Sequence, residues 1–349
     1  MRDFSKLKNA ADAVLIFSPE NRFYFTKFES TFGILLLCDK PVFFTDSRYS
    51  EEAEATIDSG IEVVAADSSD VYFSLLEKIK SLGIKKLGIE YGFLTLKWFE
   101  DYKELFKEYE FTDVSDILYE MRSVKADDEI EAITFAQNVT DKVFKQVLNE
   151  FKQGVTEKDI ANELEYLIRK QGCGLAFPSI VAFDTDTSRP HAHPSDKKLV
   201  KDSVILMDFG AKYKGYCSDM TRTFYFGKPP QEFKSCYNIV LNAQKNALSK
   251  LQAGLLTSEA DALSREYFVS QGMDKYFTHS LGHGVGIEIH EPPALRSGGK
   301  ELLQPDMVVT VEPGLYFAGE YGIRIEDLVV IKEGEIVNLT SSNKKILTL

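Results

Sequence analysis

The sequence predicts two domains, an α/β layer domain over residues 1–117 and an α+β domain over residues 118–349. Three observations carry this division. The 349 residues amount to about two domains at roughly 150 residues each. Over the first 110 or so residues, short apolar runs alternate with helical stretches, the pattern of strands covered by helices. Beyond residue 126, long helical patterns flank strand-like runs, the pattern of an α+β domain.

In the first domain, strands are expected at 13–17 (AVLIF), 32–38 (FGILLLC), 41–45 (PVFFT), 61–65 (IEVVA) and 86–90 (KLGIE), and helices near 50–58, 70–82 and 95–108. A more mixed stretch, TDVSDILYEMRSVKA at 112–126, marks the boundary. A long helix then begins at Asp127 and Asp128, two acids suited to a helix start, with Ile130, Ile133, Val139, Val143 and Val147 near one stripe. A second helix fits 156–171, where Thr156 and Asp159 make a capping-box signal. Strand-like runs follow at 179–183, 203–210 and 216–226, helices at 230–252 and 257–271, and strands again at 307–314 and 322–331. No internal repeat or low-complexity tract interrupts the chain.

Composition excludes several classes. Apolar residues at 44% and charged residues at 27% are ordinary for a chain that buries a full core. The net charge of −13 argues against binding nucleic acid through its phosphates and against docking on anionic lipid. Cys38, Cys173, Cys217 and Cys236 form no C-x-x-C pair and read as free thiols of a reducing compartment. The start, MRDFSKLKNAADAV, lacks the apolar stretch of a signal peptide, and the apolar runs fall far short of the roughly 20 residues of a membrane span. The expectation is a cytoplasmic protein.

The chemistry lies in acids that break apolar runs. Asp208 closes VILMDFG, Asp219 lies in GYCSDMTRTF, Glu312 ends VVTVE, and Glu326 sits in GIRIEDLVVI. Strand side chains alternate, so Asp219 shares a face with Thr221, and Arg324 shares one with Glu326, opposite Ile323 and Ile325. A bare carboxylate in such surroundings is costly unless it is paired or bound to a metal. Any one acid caps a turn or meets Arg222 or Arg324 about as readily as it binds an ion. Four acids breaking four apolar strands point to a common purpose.

Of the five histidines, His279, His283 and His290 fall in twelve residues, HSLGHGVGIEIH, beside glycines that let a ligand approach the backbone; the others are His191 and His193. Four carboxylates and one imidazole suit two divalent cations, whose charge the four acids balance, and a hydroxide between the ions would serve as nucleophile. Oxygen-rich ligation favours Mn²⁺-like ions, and a constellation without cysteine argues against a structural zinc site.

The succession D-F-G, S-D-M-T-R-T, G-H-G-V-G, H-E-P-P, V-E-P-G-L-Y and R-I-E-D closely resembles the pita-bread metallopeptidases, a family that includes methionine aminopeptidase, aminopeptidase P and Xaa-Pro dipeptidase. The resemblance covers roughly residues 120–349. N-R-F-Y-F-T at 21–26 and F-T-D-S-R-Y at 44–49 resemble the creatinase/prolidase N-terminal domain, which methionine aminopeptidases of the simple layout lack. The resemblance implies a pita-bread catalytic domain behind a smaller creatinase/prolidase-like one.

It further implies that Asp208 chelates one metal, that Asp219 and Glu326 bridge both, and that His283 and Glu312 complete the second, with Glu312 also acting as general base. His191 falls where the family contacts substrate. His279 and His290 match histidines that stabilise the tetrahedral intermediate and orient the scissile bond, and Arg324 matches an arginine supporting the metal-site carboxylates. The cofactors implied are two divalent ions per subunit, Mn²⁺ first, with Co²⁺ or Zn²⁺ as alternatives. His193 departs from the family pattern and is left unassigned.

The implied reaction is hydrolysis of an X-Pro peptide bond in short proline-containing peptides by a homodimer. Two branches stay open. An Xaa-Pro dipeptidase must hold the free carboxylate of proline, for which Arg296 is the candidate against a plain solvated arginine; an aminopeptidase P leaves that end open for longer peptides. A non-catalytic binding protein on the same scaffold is the rival of another class, and the intact ligand set argues against it.

Overall fold

The computed structural model describes residues 2–67 and 70–349 and separates into two compact units, 1–122 and 123–349. In the first unit the order is α1 (Ser5–Lys8), β1 (Ala13–Ile16), α2 (Pro19–Thr26), β2 (Ile34–Leu37), β3 (Val42–Thr45), α3 (Ser50–Thr56), β4 (Glu62–Ala65), α4 (Val71–Ser81), β5 (Lys86–Ile89), α5 (Leu96–Tyr102), β6 (Glu110–Asp113) and α6 (Ser115–Ser123), the last reaching across the division. The six strands form one mixed sheet in the order β4-β3-β2-β1-β5-β6, as an α/β layer domain requires. All five expected strands are present. The core joins Leu15, Leu36 and Phe44 of the sheet to Leu75 and Ile79 of α4, whose apolar positions recur at helical spacing.

Three features of this unit differ from expectation. The strand β6 reads EFTD, too polar and too exposed to stand out by alternation. The helix α5 stops at Tyr102 rather than at 108. The helix α2 forms because Ser18 caps it through the Asn21 N–H and Pro19 sits in its first turn. Its aromatic run FYF hides that start, since such residues favour strands.

The second unit contains α7 (Asp127–Val147), α8 (Glu157–Lys170), β7 (Gly174–Leu175), β8 (Ile180–Phe183), β9 (Ser203–Phe209), β10 (Ala211–Tyr213), β11 (Tyr216–Cys217), β12 (Met220–Phe226), α9 (Gln231–Leu248), α10 (Thr257–Ser270), β13 (Gly282–Gly284), β14 (Glu291–Leu295), β15 (Val308–Val311), β16 (Gly314–Phe317), β17 (Tyr321–Arg324), β18 (Asp327–Ile331) and β19 (Ile336–Asn338). It is an α+β arrangement of small, almost wholly antiparallel sheets: β12-β9-β8, β11-β10-β7, β14-β13-β15-β18-β19 and the hairpin β16-β17. Helices α7 and α8 pack Val143, Val147, Ile160 and Leu164 against Ile205, Met207 and Phe224 of the first of these sheets. Helices α9 and α10 cover the five-stranded sheet and the hairpin.

Both helix starts behave as the sequence indicates. Thr156 and Asp159 close a reciprocal capping box at α8. On α7 the stripe shifts slightly: Ile130 is half-buried, and Glu129 is buried instead, accepting a hydrogen bond from the Tyr216 hydroxyl at 2.7 Å. The expected strands at 216–226 and 322–331 are each broken, at Ser218–Asp219 and at Ile325–Glu326. Each break is a change of sheet, where the chain leaves β11 for β12 or β17 for β18. Among the described residues, no helix is long and apolar enough to cross a membrane.

Candidate metal centre

The two breaks and two strand ends converge. Asp208 on β9 faces Thr221 of β12 in register, which brings Asp219 alongside. The chain can cross itself here because residue 210 is glycine: a Cβ on Gly210 would stand 1.8 Å from the Ser218 carbonyl oxygen. Glu312 follows the end of β15, and His283 sits on the neighbouring β13 at a register shift, a device that re-aims a side chain. Gly282 allows that approach, since a Cβ there would lie 2.1 Å from the Thr310 carbonyl oxygen. Glu326 occupies the turn from one sheet to the next, its N–H donating to the Thr221 carbonyl.

The result is a cavity of about 270 Å³ lined by Asp208, Asp219, His279, His283, Glu312, Arg324 and Glu326, with His191 and His290 exposed at it and Phe177, Ile180, Pro190 and Ile289 as apolar wall. One ligand atom each from Asp219, His283 and Glu326 lie within 4.8 Å of one another. The His283 Nε2 atom stands 3.6 Å from Asp219 Oδ2 and 3.4 Å from Glu312 Oε1. His283 Nδ1 donates to the Gly284 carbonyl at 3.1 Å, which leaves Nε2 as a free acceptor facing the acids.

Three of the acids, Asp219, Glu312 and Glu326, resist ionisation in this setting. Burial first, and then the charges of Glu326, Asp208 and Glu312, push Asp219 well above the usual carboxylate range. Burial and the neighbouring Glu312 and Asp208 do the same to Glu326. Burial pushes Glu312 up to about 7. Asp208 Oδ1 and Asp219 Oδ1 are buried without a hydrogen-bond partner. A chain that buries carboxylates with unpaired oxygens beside an unprotonated imidazole nitrogen has built a donor set that fits divalent cations.

Arg324 orders the set. Its Nη2 donates to Asp208 Oδ2 at 2.7 Å, its Nε to the Thr221 hydroxyl at 2.8 Å, and its Nη1 to the Tyr316 hydroxyl at 2.7 Å. Thr221 in turn donates to Glu326 Oε2 at 2.6 Å. Burial alone would lower the Arg324 pKa, but Tyr316 and the surrounding acids hold it well above its ordinary value. Thr310 plays the matching part on the other side, donating to Glu312 Oε1 at 3.1 Å and accepting the His283 N–H at 3.0 Å.

The histidines divide. His191 and His290 are exposed on the cavity, and His290 packs its ring 4.3 Å from that of His283. His279 is otherwise engaged. Tyr316 accepts from Arg324, so its one proton goes to His279 Nε2 at 3.0 Å, and His279 Nδ1 donates to the Ser280 carbonyl at 2.7 Å. Burial, with Arg324 nearby, pushes His279 down to about 4, consistent with a neutral ring. His279 lines the cavity with both ring nitrogens engaged in these contacts. Arg296 stands exposed just past β14 and does not line the cavity, so the structure does not bring the expected carboxylate anchor to the site. His193 is exposed and outside the lining as well.

Sequence reasoning missed Thr310, Tyr316 and the apolar wall. Thr310 was within reach, because it precedes Glu312 by two residues on a strand, the alternation that pairs Thr221 with Asp219. Tyr316 reaches the site only through the β16–β17 hairpin, which puts it opposite Gly322.

Comparison with known proteins adds a second line. Residues 131–333 match metallopeptidase family M24, and residues 6–124 match the creatinase/prolidase N-terminal domain. An Xaa-Pro dipeptidase of Pyrococcus horikoshii is 34% identical over 343 residues, covering 97% of this chain and 95% of that one. Among solved structures, an Xaa-Pro dipeptidase of Bacillus anthracis superposes with a TM-score of 0.93 at 38% identity, covering 97% of this chain and 95% of that one. An X-Pro aminopeptidase of Thermotoga maritima gives a TM-score of 0.92 at 36% identity, covering 97% of this chain and 98% of that one.

Proposed function

The chain belongs to metallopeptidase family M24, and from that membership we propose that it is an Xaa-Pro dipeptidase, an enzyme hydrolysing X-Pro dipeptides. Its architecture is the pita-bread catalytic domain with a creatinase/prolidase-like N-terminal domain. The observation supporting the site assignment is the convergence of four carboxylates and His283 on one cavity with buried oxygens left unpaired.

The family implies divalent metal ions. We assign Asp208, Asp219, His283, Glu312 and Glu326 to hold two of them, Mn²⁺ first and Co²⁺ or Zn²⁺ as alternatives. Bound there, such ions supply Lewis acidity toward the scissile carbonyl and make water a nucleophile near neutral pH. The chain's own groups supply the rest. Phe177, Ile180 and Ile289 offer apolar surface to the rigid proline ring, while His191 and His290 present donors to the carbonyl oxygen and to the substrate's free carboxylate. Glu312, with Oε1 held by Thr310, takes the proton of the attacking water on Oε2 and returns it to the departing proline nitrogen. Arg324 and Thr221 keep the acids oriented throughout.

The deciding assay compares Ala-Pro with Ala-Pro-Ala on chelator-stripped protein reloaded with Mn²⁺, Co²⁺ or Zn²⁺. Metal-dependent cleavage of the dipeptide alone is the expected result. Preference for the tripeptide would transfer the chain to the aminopeptidase branch, whose Thermotoga relative is the observation in its favour. Cleavage of neither, with metal bound, would leave the non-catalytic reading. We also propose a cytoplasmic homodimer. All four cysteines are free and buried, as suits a reducing compartment, and light scattering checks the assembly.

A further inference from the structure

We infer that Glu157 is a positioning residue for the candidate site, closing the neck of the segment that carries His191; this rests on the reading of His191 as a substrate contact. Glu157 is fully buried in the first turn of α8. Its Oε1 accepts the Phe183 N–H at 2.7 Å, and its Oε2 accepts both the Ser195 N–H at 2.9 Å and the Ser195 hydroxyl at 2.5 Å. Phe183 ends β8 and Ser195 lies beyond His191, so one carboxylate grips both ends of the intervening loop. Lys197 ties the same neck from outside, its ammonium donating to the Phe183 carbonyl at 2.8 Å and to Thr185 Oγ1 at 2.9 Å.

Helix capping does not account for Glu157, because Thr156 and Asp159 already make the capping box of α8. Ion pairing does not either, since no lysine or arginine among the described residues pairs with it. Burying a carboxyl group is costly unless its oxygens are hydrogen-bonded, and here three donors, all belonging to the two ends of one loop, offset that cost. The interior of the loop is pinned independently. Thr187 accepts the Gly322 N–H of β17 at 2.8 Å, and Asp184 accepts the Val204 N–H and the Ser203 hydroxyl of β9. With the neck closed by Glu157 of α8 and the interior fixed to the strands that carry Asp208 and Arg324, His191 stands at a defined place on the cavity instead of riding on a free loop.

The test is a double-mutant cycle between Glu157→Gln and His191→Ala, read as kcat and KM for Ala-Pro on the metal-loaded protein. Gln retains the acceptor for the Phe183 N–H but turns an amide nitrogen toward the Ser195 N–H, so one donor loses its partner. The expected loss in kcat/KM is roughly tenfold. It should fall in the same parameter that His191→Ala changes, and it should vanish in the His191→Ala background. An equal loss in both backgrounds overturns the proposal and makes Glu157 a structural residue only. A silent His191→Ala overturns the premise about His191 and is read from that single variant. Should Glu157→Gln fail to fold, Ser195→Ala loosens the same neck while keeping the backbone bond, and the same cycle with His191→Ala decides.

Discussion

Replacing Glu312 by Gln should stabilise the metal-stripped protein at pH 8 and barely affect it at pH 5. Burial raises the Glu312 carboxyl from 4.5 to about 7, so the folded state holds a proton that the unfolded state has released. The folded state carries no penalty below pH 4.5, loses stability as pH rises from there to 7, and bears the full penalty above it. That penalty is about 3 kcal/mol at pH 8 and less than about 1 kcal/mol at pH 5. Gln is isosteric, keeps the acceptor for the Thr310 hydroxyl and never ionises. His279 acts in the opposite direction. Its lowered pKa makes stability fall as pH drops below 6.5, but that slope is common to both proteins and cancels in the difference. Urea unfolding by far-UV circular dichroism at the two pH values gives the numbers. Trp98, the single tryptophan, lies in the first unit, and its fluorescence serves as the internal control. Equal destabilisation by Gln at both pH values would refute the reasoning. Added Mn²⁺ should stabilise the original protein far more than the variant.

Thr221→Val removes the hydroxyl that joins Arg324 to Glu326 and should cost roughly 10–100-fold in metal affinity or in kcat, measured by metal titration and Ala-Pro hydrolysis. Arg296→Ala should leave KM for Ala-Pro within about twofold, well inside the roughly tenfold that losing a hydrogen bond to a charged group brings, because the side chain lies outside the cavity. Gly282→Ala drives a methyl group into the Thr310 backbone and should destabilise by about 1–3 kcal/mol, lowering the thermal midpoint and, by shifting His283 off Thr310, the activity.

Much of the site was legible because its acids stand against an apolar background. Asp208 in VILMDFG and Glu312 in VVTVE are conspicuous by position alone, and strand alternation correctly put Arg324 and Glu326 on the face opposite Ile323 and Ile325, which go to the core. Alternation failed where the chain changes sheets, because a continuous apolar run such as GIRIEDLVVI carries no local mark of the break at Ile325–Glu326. Arg296 and His279 show a different limit. Sequence spacing tells which residues lie near one another along the chain, but not that Arg296 falls beyond the end of a strand, nor that Tyr316 has already engaged the imidazole of His279. Glu157 was invisible for a related reason: in the first turn of a helix an acid reads as a favourable surface charge, and only the fold shows it buried under a loop.

An arginine in the midst of acids that could hold cations needs a reason, and the geometry supplies one. A lysine would neutralise the same charge, but as a point charge it would not hold three separate acceptors in fixed directions. The Arg324 fork does, and in doing so it decides which oxygen of Asp208 and of Glu326 remains open. Asp208 gives Oδ2 to the guanidinium and keeps Oδ1 without a partner. Glu326 gives Oε2 to the threonine that the guanidinium orients. The third branch fixes Tyr316, which in turn fixes the tautomer of His279. The arginine therefore does more than offset a surplus of negative charge. It sorts the oxygens of Asp208 and Glu326 into those committed to the scaffold and those left uncommitted, and that sorting gives the candidate site defined positions for a ligand.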